Sequence, residues 1–153
     1  MSIVIDNDSF IDSFEFADDN LVVGVVLKFL ADFTKPKPKF KRFIIAGIDD
    51  DMERAALVLI NTDFPALRSL APYQIHLIPE GREEYVNHEC FIDCSRFYYY
   101  SMEFLRNLIA NNKNVVLGKV EDEDSKEIKR LLTASELIKP KEKTLFHFEN
   151  EKH

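Results

Sequence analysis

The sequence predicts a single α+β domain built on a small antiparallel barrel with two or three helices. Three observations lead to this prediction. The 153 residues are 46% hydrophobic, which suits one core rather than two. Short apolar runs bounded by turn residues recur along the chain, as expected for strands. These runs mostly follow one another through short connections, which favours antiparallel neighbours. We predict an acidic N-terminal extension over residues 1–20 and the barrel domain over residues 21–153.

The strand predictions rest on runs rich in β-branched and other apolar residues. The first run contains Gly24, which marks a bulge or a point of close packing. Between the first two runs, residues 34–42 contain two prolines. Because proline has no N–H to donate to a ladder, this segment is predicted as an extended, solvated loop. The predicted strands cover residues 21–29, 43–48, 55–60, 74–78, 88–95 and 114–120.

The helix predictions rest on apolar spacing and on capping residues. Residues 101–111 place apolar side chains on one face, with Ser101 as the N-cap. A second helix begins near Asp122, where acidic residues occupy the first turn. Residues 1–20 mix acids with Phe10, Ile11, Phe14 and Phe16. These apolar residues recur at roughly helical spacing, which fits a short helix or a docked extension. Residues 144–153 are expected to fray or to add an edge strand.

The charge of the chain is unevenly distributed. The net charge of −7 has the wrong sign for a general nucleic-acid binder, and we expect no binding to double-stranded DNA. Residues 35–42, however, contain five cations and no acid, so an anion would bind at this segment. The chain has no uncharged apolar stretch of about 18 residues and no basic region ahead of an apolar core at its start. We therefore expect a cytoplasmic protein without a membrane partner.

The cysteines and histidines do not form a recognisable metal site in the sequence. Four residues of strand separate Cys90 and Cys94 by about 13 Å, too far for a disulfide, which suits a reducing compartment. His88 and the two cysteines would share one strand face, Asp93 would point the other way, and a fourth ligand is missing. We expect neither a metal nor a cofactor. His76 is interpreted as a satisfied barrel residue.

Six segments follow one another in an order that is characteristic of a known family. They are Gly24-Val-Val-Leu, Lys41-Arg42-Phe43-Ile-Ile-Ala, Leu57-Val-Leu-Ile-Asn-Thr62, Phe91-Ile-Asp93-Cys94-Ser95, Val116-Leu-Gly118-Lys-Val and the helix from Asp122 to Leu132. Over residues 21–138 this order resembles the MazF/PemK family of toxin barrels. That family opens with a Gly-led apolar strand and a mobile loop ending in Arg-Pro. A strand ending at threonine, a strand carrying Asp-Gln, and a closing Gly-containing strand with an acidic-capped helix follow.

This resemblance implies an SH3-like barrel that cleaves single-stranded RNA without a metal, as the toxin of a type II toxin–antitoxin pair. It implies a homodimer that is silenced by an antitoxin peptide or protein. Arg42 and Thr62 take the catalytic positions, since a guanidinium clamps phosphate and a hydroxyl donates to a phosphoryl oxygen. The sequence does not identify the general base. The residues interpreted as RNA-binding are Lys35, Lys37, Lys39, Phe40, Lys41 and Ser95.

Two departures from the family pattern and one alternative accompany this interpretation. Phe43 stands where the family has proline, and Cys94 stands where it has a glutamine that helps to position RNA. Arg42 and Thr62 also fit ordinary strand-end roles, and the lysines of residues 35–41 fit a solubilising loop. The alternative function is a non-catalytic barrel of the same fold that binds protein or RNA. The acidic N-terminal segment is expected either to complete the core or to cover the basic loop.

Overall fold

A computed structural model describes residues 7–149 of the chain. It is a mixed α+β structure with a curled six-stranded sheet and several helices. None of the helices in the described range is long and apolar enough to cross a bilayer. The elements in chain order are α1 (Asn7–Asn20), β1 (Val25–Ala31), β2 (Lys39–Ile48), β3 (Arg54–Asn61), β4 (Gln74–Leu77), β5 (Cys90–Ser101), α2 (Met102–Asn111), β6 (Val116–Lys119), α3 (Asp122–Ala134) and α4 (Pro140–Leu145), with 3₁₀ turns at Arg68–Tyr73 and Lys113–Val115.

The sheet is antiparallel throughout and has the strand order β4-β5-β3-β2-β1-β6. Strands β1, β2 and β3 follow one another as a meander at its centre. The short strands β4 and β6 form the two edges, so the sheet is a half-barrel rather than a closed one. This architecture agrees with the predicted antiparallel α+β class. It is compatible with a small barrel.

Helices cover both faces of the sheet, and the core therefore has two layers. The described residues contain four α-helices rather than the predicted two or three. Because the central strands are buried on both sides, their sequences are continuous apolar runs rather than alternating ones. One layer contains α1 and α2 packed on Leu27, Phe43 and Leu57. In the other layer, α3 packs on Val26, Ile44 and Val58. Phe146 and Phe148 of the C-terminal segment pack in the same layer.

Several element boundaries differ from the predictions. Strand β2 begins at Lys39, inside the segment predicted as a loop, because Lys39 and Phe40 pair with the end of β1. Strand β5 continues to Ser101, six residues beyond the predicted end at residue 95. Residues 144–149 form no edge strand; α4 and the buried Phe146 and Phe148 occupy this part of the chain.

Two other local predictions are confirmed. Ser101 caps α2, since its hydroxyl accepts a hydrogen bond from the Phe104 N–H at 3.0 Å. Helix α3 begins at Asp122 with three acids in its first turn. Gly24, predicted as a bulge or a point of close packing in the first strand, lies instead in the turn ahead of β1. Its φ of +99° favours glycine, and its N–H donates to the Ile45 carbonyl at 2.8 Å.

Helix α1 completes the core, which is the first of the two alternatives for the N-terminal segment. Ala17 is fully buried in the layer that also contains α2. Arg106 of α2 donates to Asp18 at 2.8 Å and stacks over the Phe14 ring at 4.4 Å. This layer lies on the opposite sheet face from the row of Val26, Ile44 and Val58. Residues 1–6 lie outside the described range.

Candidate functional site

A cavity of about 420 Å³ lies on the α3 face of the sheet. Its floor is formed by strands β1, β2 and β3, and its wall by residues 83–88, in the segment that leads into β5. We call it the Arg42 cavity. The residues that define it here are Lys28, Phe40, Lys41, Arg42, Ile60, Thr62, Glu83, Glu84, Tyr85, Asn87 and His88.

The strand register explains why these side chains meet. Lys28 pairs with Arg42 across β1 and β2, and Arg42 pairs with Ile60 across β2 and β3. Directly paired residues lie on one face of a sheet, and so do residues two apart on a strand. Thr62 follows Ile60 by two positions and reaches the same cavity. Farther along the same face, the floor residues give way to the buried Val26, Ile44 and Val58.

Arg42 is partly buried, and one of its guanidinium nitrogens is hydrogen-bonded within the protein. Its Nη1 donates to the Tyr85 carbonyl oxygen at 2.6 Å. Tyr85 is itself buried, so this bond fixes one end of the guanidinium against the wall of the cavity. The guanidinium has five N–H donors, and within residues 7–149 it forms no ion pair. The remaining donors are available to a ligand.

Thr62, His88 and Asn87 form a chain of hydrogen bonds at the edge of the cavity. Thr62 Oγ1 lies 3.0 Å from His88 Nε2, and His88 Nδ1 lies 2.5 Å from Asn87 Oδ1. The tautomer with its proton on Nδ1 satisfies both contacts, because it donates to Asn87 Oδ1 and leaves Nε2 as an acceptor. The Nε2 lone pair then faces Thr62 and accepts from its hydroxyl. An imidazole held in this tautomer can act as a general base.

The wall that carries His88 is tied to α3 by an ion pair. Arg82 Nε donates to Asp124 Oδ2 at 2.6 Å and Arg82 Nη2 to Asp124 Oδ1 at 3.0 Å. The bond to Asp124 raises the pKa of the Arg82 guanidinium. Two turns continue from this anchor, since the Tyr85 and Val86 N–H groups donate to the Arg82 carbonyl at 3.1 and 2.8 Å. The segment that presents His88 thus starts from a fixed point.

The cavity contains both signs of charge. Lys28 and Arg42 supply two cations from the floor, and Glu83 and Glu84 supply two carboxylates. Lys41 borders the cavity through its place on β2, but it pairs with Phe29, whose side chain lies on the opposite face of the sheet. Glu83 accepts the Gly81 N–H at 3.1 Å, and backbone hydrogen bonds lower its pKa. The cations make the floor suitable for an anion such as a phosphate.

The structure brings some of the sequence-predicted site residues together and leaves others apart. Arg42, Thr62, Phe40 and Lys41 all line the cavity, and Phe40 is 66% exposed. The three remaining lysines, Lys35, Lys37 and Lys39, are exposed but do not line the cavity.

Ser95 is not at the cavity. It is buried, and its hydroxyl and its N–H both donate to Asp93 Oδ1, at 2.5 and 3.0 Å. The interpretation of Ser95 as an RNA contact therefore has no support in its position.

The two departures from the family pattern have structural explanations in the core. Cys94 is fully buried among apolar residues, and burial raises the pKa of its thiol. A longer polar side chain at this position would have to displace core residues. Phe43 is also fully buried and stacks on Phe29 with ring centroids 4.6 Å apart. Neither residue lines the Arg42 cavity.

His88 was not among the predicted site residues. The sequence groups it with Cys90 and Cys94, but both cysteines are buried and free, whereas His88 is exposed and bonded to Thr62. The sequence offers one signal, the adjacent Asn-His pair ahead of a strand. That signal identifies neither the partner of the imidazole nor the cavity. Lys28 and Glu84 were missed for the same reason, since strand register and the course of the wall place them.

No protein-family model matches this chain, and a search of curated proteins returns no significant match.

Proposed function

We propose that the chain is a metal-independent endoribonuclease that cleaves single-stranded RNA at the Arg42 cavity. The observation that carries the proposal is the arrangement of Arg42, Thr62 and His88. A phosphate-binding guanidinium, a hydroxyl donor and an imidazole acceptor line one cavity, although 20 and 26 positions separate them along the chain. The reaction needs such groups, a base and charge stabilisation at the phosphate.

In the proposed reaction, the ribose 2′-hydroxyl replaces the Thr62 hydroxyl at His88 Nε2. The imidazole accepts the 2′-proton as the 2′-oxygen bonds to phosphorus and the bond to the 5′-oxygen breaks. Arg42 donates to the phosphoryl oxygens, and Thr62, released from His88, donates a further hydrogen bond there. The departing 5′-oxygen takes a proton from a lysine of the floor or from water. The products are a 2′,3′-cyclic phosphate and a 5′-hydroxyl.

The biological role follows from the MazF/PemK resemblance and rests on it alone. We propose a toxin of a type II toxin–antitoxin pair, with a homodimer as the active form and an antitoxin peptide or protein as its inhibitor. The curled antiparallel half-barrel is compatible with a small barrel. On this proposal, inducing the protein without its antitoxin stops cell growth.

A non-catalytic RNA- or protein-binding barrel is the second candidate. It is favoured by the 2.6 Å bond from Arg42 to the Tyr85 carbonyl, which already occupies part of the guanidinium. The two carboxylates in the cavity also oppose phosphate binding. RNA binding without cleavage would select this candidate.

The test compares two histidine variants in purified protein. Single-stranded RNA is incubated with excess EDTA, and the new 5′ ends are mapped. We expect 5′-hydroxyl ends from the wild type and a loss of about 10² or more in rate for His88→Gln. His76→Gln is the matched control, because His76 is also exposed and bonded to one side chain, Glu89, at 2.8 Å. Equal rates for the two variants, or no cleavage by the wild type, would contradict the proposal.

A further inference from the structure

In the part of the chain that the structure describes, Glu84 is a carboxylate without a partner, although its cavity contains two cations. It lines the Arg42 cavity with Lys28 and Arg42. Within the described residues it forms neither an ion pair nor a side-chain hydrogen bond with any of them. A carboxylate in this position opposes a bound phosphate, unless it faces a different part of the ligand.

The exposed Glu84 side chain lies against Gly118 of strand β6. A Cβ atom at Gly118 would lie 2.4 Å from Glu84 Oε2 and 3.2 Å from Glu84 Cβ. Only a glycine allows the carboxylate to lie this close to the strand. Gly118 pairs with Val26 of β1, two residues before Lys28 in the floor. The carboxylate therefore lies at the β6 side of the cavity.

A ribonucleotide has two chemically different groups that a cavity of this kind could bind, its phosphate and its base. Its phosphate suits the cations, and the Watson–Crick edge of its base is accessible in single-stranded RNA. A carboxylate has only acceptors, and it binds best to two adjacent N–H donors. Guanine has such a pair, N1–H and the 2-amino group, whereas uracil has a single N–H between two carbonyls. The volume of about 420 Å³ falls in the usual range for a pocket that holds a small molecule.

We propose that Glu84 reads the base bound in the Arg42 cavity and selects guanine, with the phosphate of the same nucleotide on Arg42. This inference rests on the proposed function in placing RNA in the cavity, but it concerns recognition and not cleavage. Glu84 acts as a specificity-determining residue. Gly118 acts through it, as the residue that permits its position.

The experiment measures nucleotide binding to the full chain by calorimetry, in EDTA, with 3′-GMP, 3′-IMP and 3′-UMP. Inosine lacks the 2-amino group, so it removes one of the two donors. We expect the wild type to bind 3′-GMP about tenfold or more tightly than 3′-UMP, with 3′-IMP between them. Glu84→Gln is expected to lose most of this margin while it still binds all three phosphates.

Glu83→Gln is the matched control, because it removes the same charge from the adjacent cavity residue, whose carboxylate is bonded to the Gly81 N–H. It is expected to retain the guanine margin. Equal affinities of the wild type for the three nucleotides, no binding at all, or an unchanged margin in Glu84→Gln would overturn the inference. If the protein binds 3′-GMP more tightly than 3′-UMP but cleaves no RNA, guanine recognition by Glu84 is supported and the proposed nuclease activity is refuted. If the protein cleaves RNA without any base preference, the nuclease activity is supported and guanine recognition by Glu84 is refuted.

Discussion

Replacing Arg82 by alanine removes the group that ties the wall of the Arg42 cavity to helix α3. The guanidinium makes two hydrogen bonds to Asp124, at 2.6 and 3.0 Å, and the Asp124 side chain is only 8% exposed. The variant leaves this carboxylate buried without its cation. The backbone carbonyl of residue 82 still accepts the Tyr85 and Val86 N–H groups, but the segment that leads to His88 loses its side-chain bonds to α3.

The expected loss of stability follows from the burial of the pair. Removing one partner of a buried, hydrogen-bonded ion pair costs about 3–5 kcal/mol. Because the Arg82 side chain is 20% exposed, we take the lower end, about 3 kcal/mol. In a chain of this size each kcal/mol shifts the melting temperature by roughly 2–4 °C, so we expect a fall of about 6–12 °C.

Thermal unfolding followed by circular dichroism measures this change. The matched control is Arg130→Ala, which removes another arginine–carboxylate pair of α3, with Glu127, but an exposed one. Exposed pairs contribute little, and we expect no measurable shift for the control. If Arg82→Ala melts at the same temperature as Arg130→Ala, then the ion pair does not anchor the wall, and the account of how His88 is positioned is wrong.

Further predictions concern the core. Cys90 and Cys94 are fully buried, and burial raises the pKa of both thiols, so neither is expected to react with a thiol reagent until the protein is unfolded. Above pH 9.0, the ordinary pKa of a thiol, the unfolded chain loses these two protons while the folded protein keeps them. The free energy of unfolding is therefore expected to fall as the pH rises past that value, and urea titrations at pH 8 and 10 would measure the fall. A Cβ at Gly47 would lie 2.9 Å from Phe146 Cβ, so Gly47→Ala is expected to destabilise the protein by about 1–3 kcal/mol in the same assay. A thiol that reacts in the native state, a stability that does not change with alkaline pH, or a neutral Gly47→Ala would contradict these statements one by one.

The sequence was most informative where local chemistry decides the structure. Helix α2 was predicted with its cap because Ser101 and the apolar spacing act within one turn. The start of β2 was missed because two prolines at positions 36 and 38 suggest a loop, while the pairing of Lys39 and Phe40 with β1 depends on a partner strand. The continuous apolar runs were read as barrel strands, although they also fit a sheet that is covered on both faces.

The candidate site was partly predictable for a similar reason. Arg42 and Thr62 were selected through the order of motifs, and strand register brings them to one cavity. His88 could not be assigned, since its position depends on the bond between Arg82 and Asp124, 42 residues apart in the chain. No property of residues 82–88 alone indicates that their anchor lies in a later helix.

The proposed metal-independent cleavage of RNA through the ribose 2′-hydroxyl is tested most directly by removing that hydroxyl. An RNA that the protein cleaves is compared with the same strand carrying a single 2′-deoxyribose at the cleaved position, both in excess EDTA. The account predicts a 2′,3′-cyclic phosphate from the all-ribose strand and no cleavage at the substituted position. Cleavage that persists without the 2′-hydroxyl, or that requires a divalent metal, would contradict it.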